Sequence, residues 1–171
     1  MRVVRLASET DFDGWREAAR ALRTAGVAPA DVVWTVDDGA GDLFAEPAQE
    51  GGGSGAIRVS RSFVDLAQRV VLHRSPARFD LLYRLLWRLQ GEPQLLAQPA
   101  DADVARARDM ERQVDRAAHK MKAFVRFRLV TAAEPEAYVA WFEPAHRVTE
   151  ATAPFFVRRF AKMRFSILTP D

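Results

Sequence analysis

The apolar positions Phe12, Trp15, Ala18, Ala19 and Leu22 recur every three or four residues, which predicts a helix capped by Thr10 or Asp11 and running to about Arg23. Gly26 and Pro29 end it. Before it, residues 1–6 alternate apolar and basic side chains and read as a strand; Asp31 to Val36 reads as a second strand and Ile57 to Val59 as a third. Between them, Gly39 to Gly55 contains GGGSG and is predicted to be a mobile loop. It is not a phosphate-binding loop, because no Lys-Ser/Thr follows the glycines.

A helix is predicted from Ser62 to about Leu72, and Ser75-Pro76 restarts another, RFDLLYRLLWRLQ. Leu81, Leu82, Leu85, Leu86 and Leu89 give this one a broad buried face, with Asp80, Arg84 and Arg88 one turn apart beside it. Gly91 and Pro93 stop it. Asp101 to Met121 is a long amphipathic pattern with Val104, Ala107, Met110, Val114, Ala117 or Ala118, and Met121 inward, and Arg108, Arg112, Arg116 and Lys120 outward. From Ala123 to Val130 the period falls to two, which predicts a strand. A short loop from Thr131 to Pro135 joins it to another at Tyr138–Phe142. A helix over about Glu150–Met163 and a strand at Phe165–Leu168 close the pattern. Strands, then helices, then strands favour an α+β fold, a small mixed or antiparallel sheet packed with about five helices, in a single domain over residues 1–171.

Composition narrows the chemistry. The chain has no cysteine, which removes disulfides, thiolate zinc sites, iron–sulfur ligation and a cysteine nucleophile from this segment. No apolar run approaches the roughly 18 residues of a membrane span, and the N-terminus turns acidic too early for a signal peptide. The reading is a cytoplasmic protein without a membrane partner. The net charge of +2 is unevenly placed: residues 1–56 carry ten acids and five arginines, whereas residues 57–171 carry twenty lysines and arginines and thirteen acids. A basic C-terminal two-thirds points to an anionic partner.

The densest basic segment is His119–Arg128, HKMKAFVRFR, extended backwards by Arg112 and Arg116. Cations interleaved with aromatic rings suit a phosphate backbone and its bases. In this reading Arg112, Arg116, His119, Lys120 and Lys122 follow phosphates along a helix. Arg126 and Arg128 do so from a strand, Phe124 offers a stacking ring, and Arg158 and Arg159 of the last helix add charge. The competing reading is a solvated basic face whose arginines pair with Asp109, Glu111 or Asp115. Phe155, Phe156 and Phe160, like the Tyr83/Trp87 pair, read as core.

Asp115 stands four residues before His119, so a carboxylate can orient an imidazole there. His119, His146 and Glu143 are the candidates for catalysis, and together for a mixed metal site, but no HxxxH or HExxH spacing supports one and no metal is predicted.

The second half resembles the DUF4130 family, bacterial domains of unknown function associated with DNA metabolism. The resemblance rests on LLYRLLWRL at 81–89, on His119-Lys120-Met121 with Phe124–Arg128, on Trp141-Phe142-x-Pro-x-His146, on Phe155-Phe156-Val-Arg-Arg-Phe160 and on the closing Ile167–Asp171. It covers nearly the whole chain, more specifically after Phe79. Ala123 and Phe165 depart from the family, which has glycine and tryptophan there. The resemblance implies a DNA-repair accessory domain, alone or ahead of a uracil-DNA-glycosylase-like domain, with DNA (single-stranded or damaged duplex) and a radical-SAM protein or glycosylase domain as partners. It also implies a longer protein continuing past Asp171, so that hydrolytic chemistry of a uracil-DNA glycosylase type, or an iron–sulfur cluster, would belong to a fused domain or a partner and no cofactor to this segment. The alternative is a domain that docks a radical-SAM or glycosylase partner without touching DNA.

Overall fold

The computed structural model describes residues 1–36, 57–131 and 135–170. The glycine-rich stretch predicted as a mobile loop lies outside the described residues. Within them the order is β1 (Arg2–Leu6), α1 (Phe12–Thr24), β2 (Val32–Val36), α2 (Arg61–Val70), α3 (Arg78–Leu89), α4 (Ala102–Phe124), β3 (Arg128–Val130), β4 (Ala137–Trp141), α5 (Thr149–Arg159) and β5 (Phe165–Leu168). This is the predicted α+β class, with the strands divided between two small sheets. The chain forms two compact units, Met1–Glu111 and Arg112–Asp171.

In the first unit β1 and β2 pair in parallel, Arg2 opposite Val32 and Leu6 opposite Val36, and α1 is the crossover that a parallel pair requires. Asp11 starts α1: its carboxylate accepts from the Gly14 N–H at 2.8 Å and from the Ala7 N–H at 3.2 Å. A Cβ on Gly14 would stand 2.2 Å from Asp11 Oδ2, so glycine leaves that cap its room. Gly26, at φ +69°, ends the helix in the left-handed region where a side chain is strained.

The strand predicted at Ile57–Val59 does not form. Its backbone has no ladder partner among the described residues, and a three-residue alternation is too short to specify one. The segment leads into Ser60, which caps α2 by accepting from the Phe63 N–H. Val59 before the cap and Val64 in the first turn hold the positions of a hydrophobic staple. Ile57 and Val59 pack against the core instead of a neighbouring strand.

A cluster of rings packs within and against that otherwise aliphatic core. Trp34 lies 6.3 Å from Trp15, 6.4 Å from Phe79 and 5.8 Å from Tyr83, centroid to centroid. Two of the polar tips are satisfied by backbone, Trp15 Nε1 donating to the Phe79 carbonyl at 3.3 Å and Tyr83 Oη to the Val27 carbonyl at 2.7 Å, while the buried Trp34 Nε1 has no acceptor among the described residues. All five leucines of the predicted α3 stripe are buried.

In the second unit the predicted strand from Ala123 to Val130 is mostly not a strand. Helix α4 continues to Phe124, the Val125 N–H still donates to the Met121 carbonyl at 3.1 Å, and only Arg128–Val130 pairs. Val114, Ala118, Met121 and Val125, spaced four, three and four, form one buried helical stripe; the alternation in FVRFR hid its last member. Phe127 then leaves the helix and enters a ring cluster, 5.1 Å from both Phe160 and Phe165 and 6.2 Å from Phe156. Strand β4 sits between β3, antiparallel, and β5, parallel, with α5 as the crossover to β5. The last helix is shorter than predicted, ending at Arg159, where Phe160 leaves helical geometry and joins the rings. Strand β5 falls on the predicted residues.

Candidate nucleic-acid interface

Arginines are abundant in both units, and their surroundings separate them into two kinds. In the first unit a subset is bound by acids, while Arg2, Arg20, Arg23, Arg58, Arg61 and Arg106 have no carboxylate partner among the described residues. Arg84 pairs with Asp80 and Asp103, and Arg88 with Asp101, Asp103 and Glu92. Arg108 pairs with Glu111 at 3.0 Å. The Arg88 hydrogen bond, helped by the Val104 N–H, holds the Asp101 carboxyl below the ordinary carboxylate range, while Asp101 also caps α4 by accepting from Asp103 and Val104. The helical spacing of Asp80, Arg84 and Arg88 announced part of this network; Asp101 and Asp103 arrive from the next helix.

The most enclosed cation was not distinguished by the sequence. Arg78 is 1% exposed. Its Nε donates to the Val71 carbonyl at 2.9 Å, Nη1 to the Ser75 carbonyl at 2.9 Å, and Nη2 to the Glu9 carbonyl at 2.6 Å and the Glu9 carboxylate. Every arm of the fork is occupied, so this arginine is structural.

In the second unit, eleven lysines and arginines face six acids. On α4, Arg112, Arg116 and Lys120 are exposed at successive turns. Lys122 is exposed with its ammonium 5.6 Å from the Phe155 ring centre. Phe124, at the end of α4, is 62% exposed. Arg126 turns back on the helix: its Nη1 donates to the Ala123 carbonyl at 2.8 Å and the Val125 carbonyl at 3.0 Å, a position where a cation favours the helix dipole. Arg128 is exposed on β3. Arg158 and Arg159 are exposed in the last turn of α5, Arg159 lying 5.6 Å from the Phe160 ring centre. Among the described residues, no carboxylate pairs with Arg116, Lys120, Lys122, Arg128, Arg158 or Arg159.

The histidine candidates part company. His119 is exposed, and among the described residues no hydrogen bond orients its ring. His146 is buried in the turn before α5, its carbonyl accepting from Val148 at 2.8 Å. Glu143 is exposed. The described residues hold no group of three His, Cys, Asp or Glu side chains able to hold a metal ion, so His119, His146 and Glu143 do not assemble into the mixed cluster considered from sequence. The predicted core aromatics do assemble: Tyr83 and Trp87 meet edge to face at 6.4 Å, and Phe155 and Phe160 each pack on Phe156.

A family model described as a domain of unknown function, DUF4130, matches residues 76–171. The chain belongs to the DUF4130 family. No curated protein and no solved structure matches it. The DUF4130 match contains α3, α4 and the whole second unit, and therefore every candidate residue above from Arg112 to Arg159. Among the described residues of this DUF4130 chain, no helix is long and apolar enough to cross a membrane.

One residue with an unusual setting was missed by the sequence reading. Trp141 belongs to the Trp141-Phe142-x-Pro-x-His146 motif, in which Pro144 and His146 are buried and Phe142 half-buried, yet Trp141 is 63% exposed. Its alternation with Ala140, which is buried, was the available signal.

Proposed function

We propose that this DUF4130 chain is a nucleic-acid-binding accessory domain of DNA metabolism, and that its second unit grips backbone phosphates with Arg116, Lys120, Lys122, Arg128, Arg158 and Arg159. The observation that carries the reading is a set of cations without carboxylate partners on the unit that holds the basic excess, eleven lysines and arginines against six acids. Arg78, Arg84, Arg88 and Arg108 are neutralised by neighbouring carboxylates, whereas these six have none among the described residues. A cation without an internal partner, on a unit with a clear basic excess, contributes most by displacing counterions from a polyanion. Arg112 extends the same helical line of cations, and Phe124 brings an exposed ring to its end. Arg126 plays a lesser part, because its guanidinium is already engaged by two backbone carbonyls.

The reading is of binding and positioning rather than of chemistry. Repair of uracil-containing DNA, with a glycosylase domain or a radical-SAM protein as the partner to be positioned, is the proposed setting.

The test is fluorescence anisotropy of labelled single-stranded and duplex DNA, with and without uracil, over a range of salt. Binding should fall steeply as salt rises. Arg116→Ala combined with Lys120→Ala should flatten the slope of log K against log salt by about 1.4 for single strands or about 1.8 for duplex, the share of two phosphates. An unchanged affinity and slope would remove this helix face from the interface. No binding even at low salt would refute the proposal and turn the same cations toward an acidic protein surface.

A further inference from the structure

The outer face of the second unit's sheet follows from its register. Arg128 stands opposite Val139, Val139 opposite Ser166 and Trp141 opposite Leu168, so these five side chains share one face. The other face carries Phe165, whose ring packs on Phe127 and Phe160 and lines the interior. The outer face is thus solvent-facing, yet its centre is apolar: Trp141 is 63% and Leu168 50% exposed.

A tryptophan is seldom left this open on a strand, because burying its ring is worth more than most side chains gain. The strand residues of this face include no acid, and its cation, Arg128, has no carboxylate partner among the described residues. Arg164, exposed and likewise unpaired, stands just before β5, with its carbonyl accepting from the Tyr138 N–H at 2.9 Å. A flat aromatic ring beside an apolar side chain, on a sheet face that also carries an unneutralised guanidinium group, complements a ligand that is itself a flat ring tied to an anion. An unpaired nucleotide has that chemistry: the base stacks and the phosphate meets arginine. A base inside a duplex does not, because its faces are already stacked.

We infer that this outer sheet face is a stacking platform for an unpaired nucleobase, with Trp141 as the stacking ring and Arg128, on the same face, as a phosphate partner. The inference rests on the nucleic-acid reading and narrows it, making the preferred ligand single-stranded rather than duplex.

The experiment uses the whole chain with oligothymidylate and a duplex of equal length. Trp141→Ala should weaken single-strand binding about tenfold, the usual effect of removing one stacking ring, with duplex affinity changed less than about twofold and the salt slope kept. Oligothymidylate should quench the tryptophan fluorescence of the wild-type chain. In Trp141→Phe that quenching should disappear while most of the affinity remains, which separates stacking from misfolding. Single-strand affinity in Trp141→Ala equal to the wild type, with a normal salt slope, would overturn the stacking inference and leave the phosphate reading standing. An equal loss on single strand and duplex would overturn it too. A wild-type chain that binds no nucleic acid at low salt would overturn both.

Discussion

Replacing Arg78 by methionine tests whether backbone hydrogen bonding, rather than ion pairing, makes this buried cation necessary. The Glu9 end of the pair is 45% exposed, so its carboxylate stays hydrated when the arginine is removed and contributes little to the loss. The Ser75 carbonyl keeps the backbone N–H of residue 78, at 3.2 Å. The Val71 and Glu9 carbonyls lose the guanidinium that now reaches them at 2.9 and 2.6 Å. Two carbonyls deprived of a buried donor cost about 1–3 kcal/mol each, and the methionine stem regains part of this by packing where the arginine stem lay. The net expectation is a loss of about 3 kcal/mol, a large share of the roughly 5–15 kcal/mol that holds a domain folded. Glu9→Gln, which removes the charge and keeps an oxygen acceptor, should cost less than about 1 kcal/mol. Urea unfolding followed by tryptophan fluorescence measures both, since Trp15, Trp34 and Trp87 all lie in the unit that holds Arg78. A loss below about 1 kcal/mol for Arg78→Met, or equal losses for the two variants, would refute the reasoning.

Other outcomes follow from single features. Burial pushes the Tyr83 phenol up to about 12, with Arg23 opposing the shift. The folded chain therefore keeps a proton that the unfolded chain releases near pH 10. Stability from this group is whole below pH 10 and lost as pH rises toward 12. With two tyrosines in the chain, phenolate absorbance should show a late step that Tyr83→Phe removes; its persistence in that variant would assign it elsewhere. Gly26→Ala meets no atom within 4 Å but must hold φ +69°, so it should lower the urea midpoint by an amount equivalent to about 1 kcal/mol, and an unchanged midpoint would show that the turn relaxes.

What the sequence revealed was what is local. The α1 cap, open between Thr10 and Asp11 in the sequence and found at Asp11, the leucine stripe of α3 and the inward stripe of α4 depend on spacing within one helix, and the structure places them accordingly. The misreadings at Ile57–Val59 and Ala123–Phe127 are both short apolar alternations. There a period of two and the edge of a helical stripe look alike, and only a partner strand decides. The division of five strands into two sheets was illegible for the same reason, because each parallel pair joins residues about 30 positions apart. Charge clustering located the basic segment but not which cations are free. Arg84 and Arg88 stand one helical turn apart as Arg116 and Lys120 do, and what separates them is Asp101 and Asp103 at the start of another helix.

The place of β5 in the chain has a consequence for how the protein is made. Strand β5 supplies both the parallel partner of β4 and, in Phe165, a ring of the second cluster. During synthesis the first unit can close early, whereas β4 emerges with one edge open until residues 165–168 follow it out of the ribosome. Through that interval the nascent chain presents an unpaired strand with an uncovered tryptophan, the kind of edge that invites adventitious pairing. Any shortening of the chain that removes Phe165–Leu168 makes this passing state permanent, so aggregation, rather than a weaker but folded domain, is what such a truncation should yield.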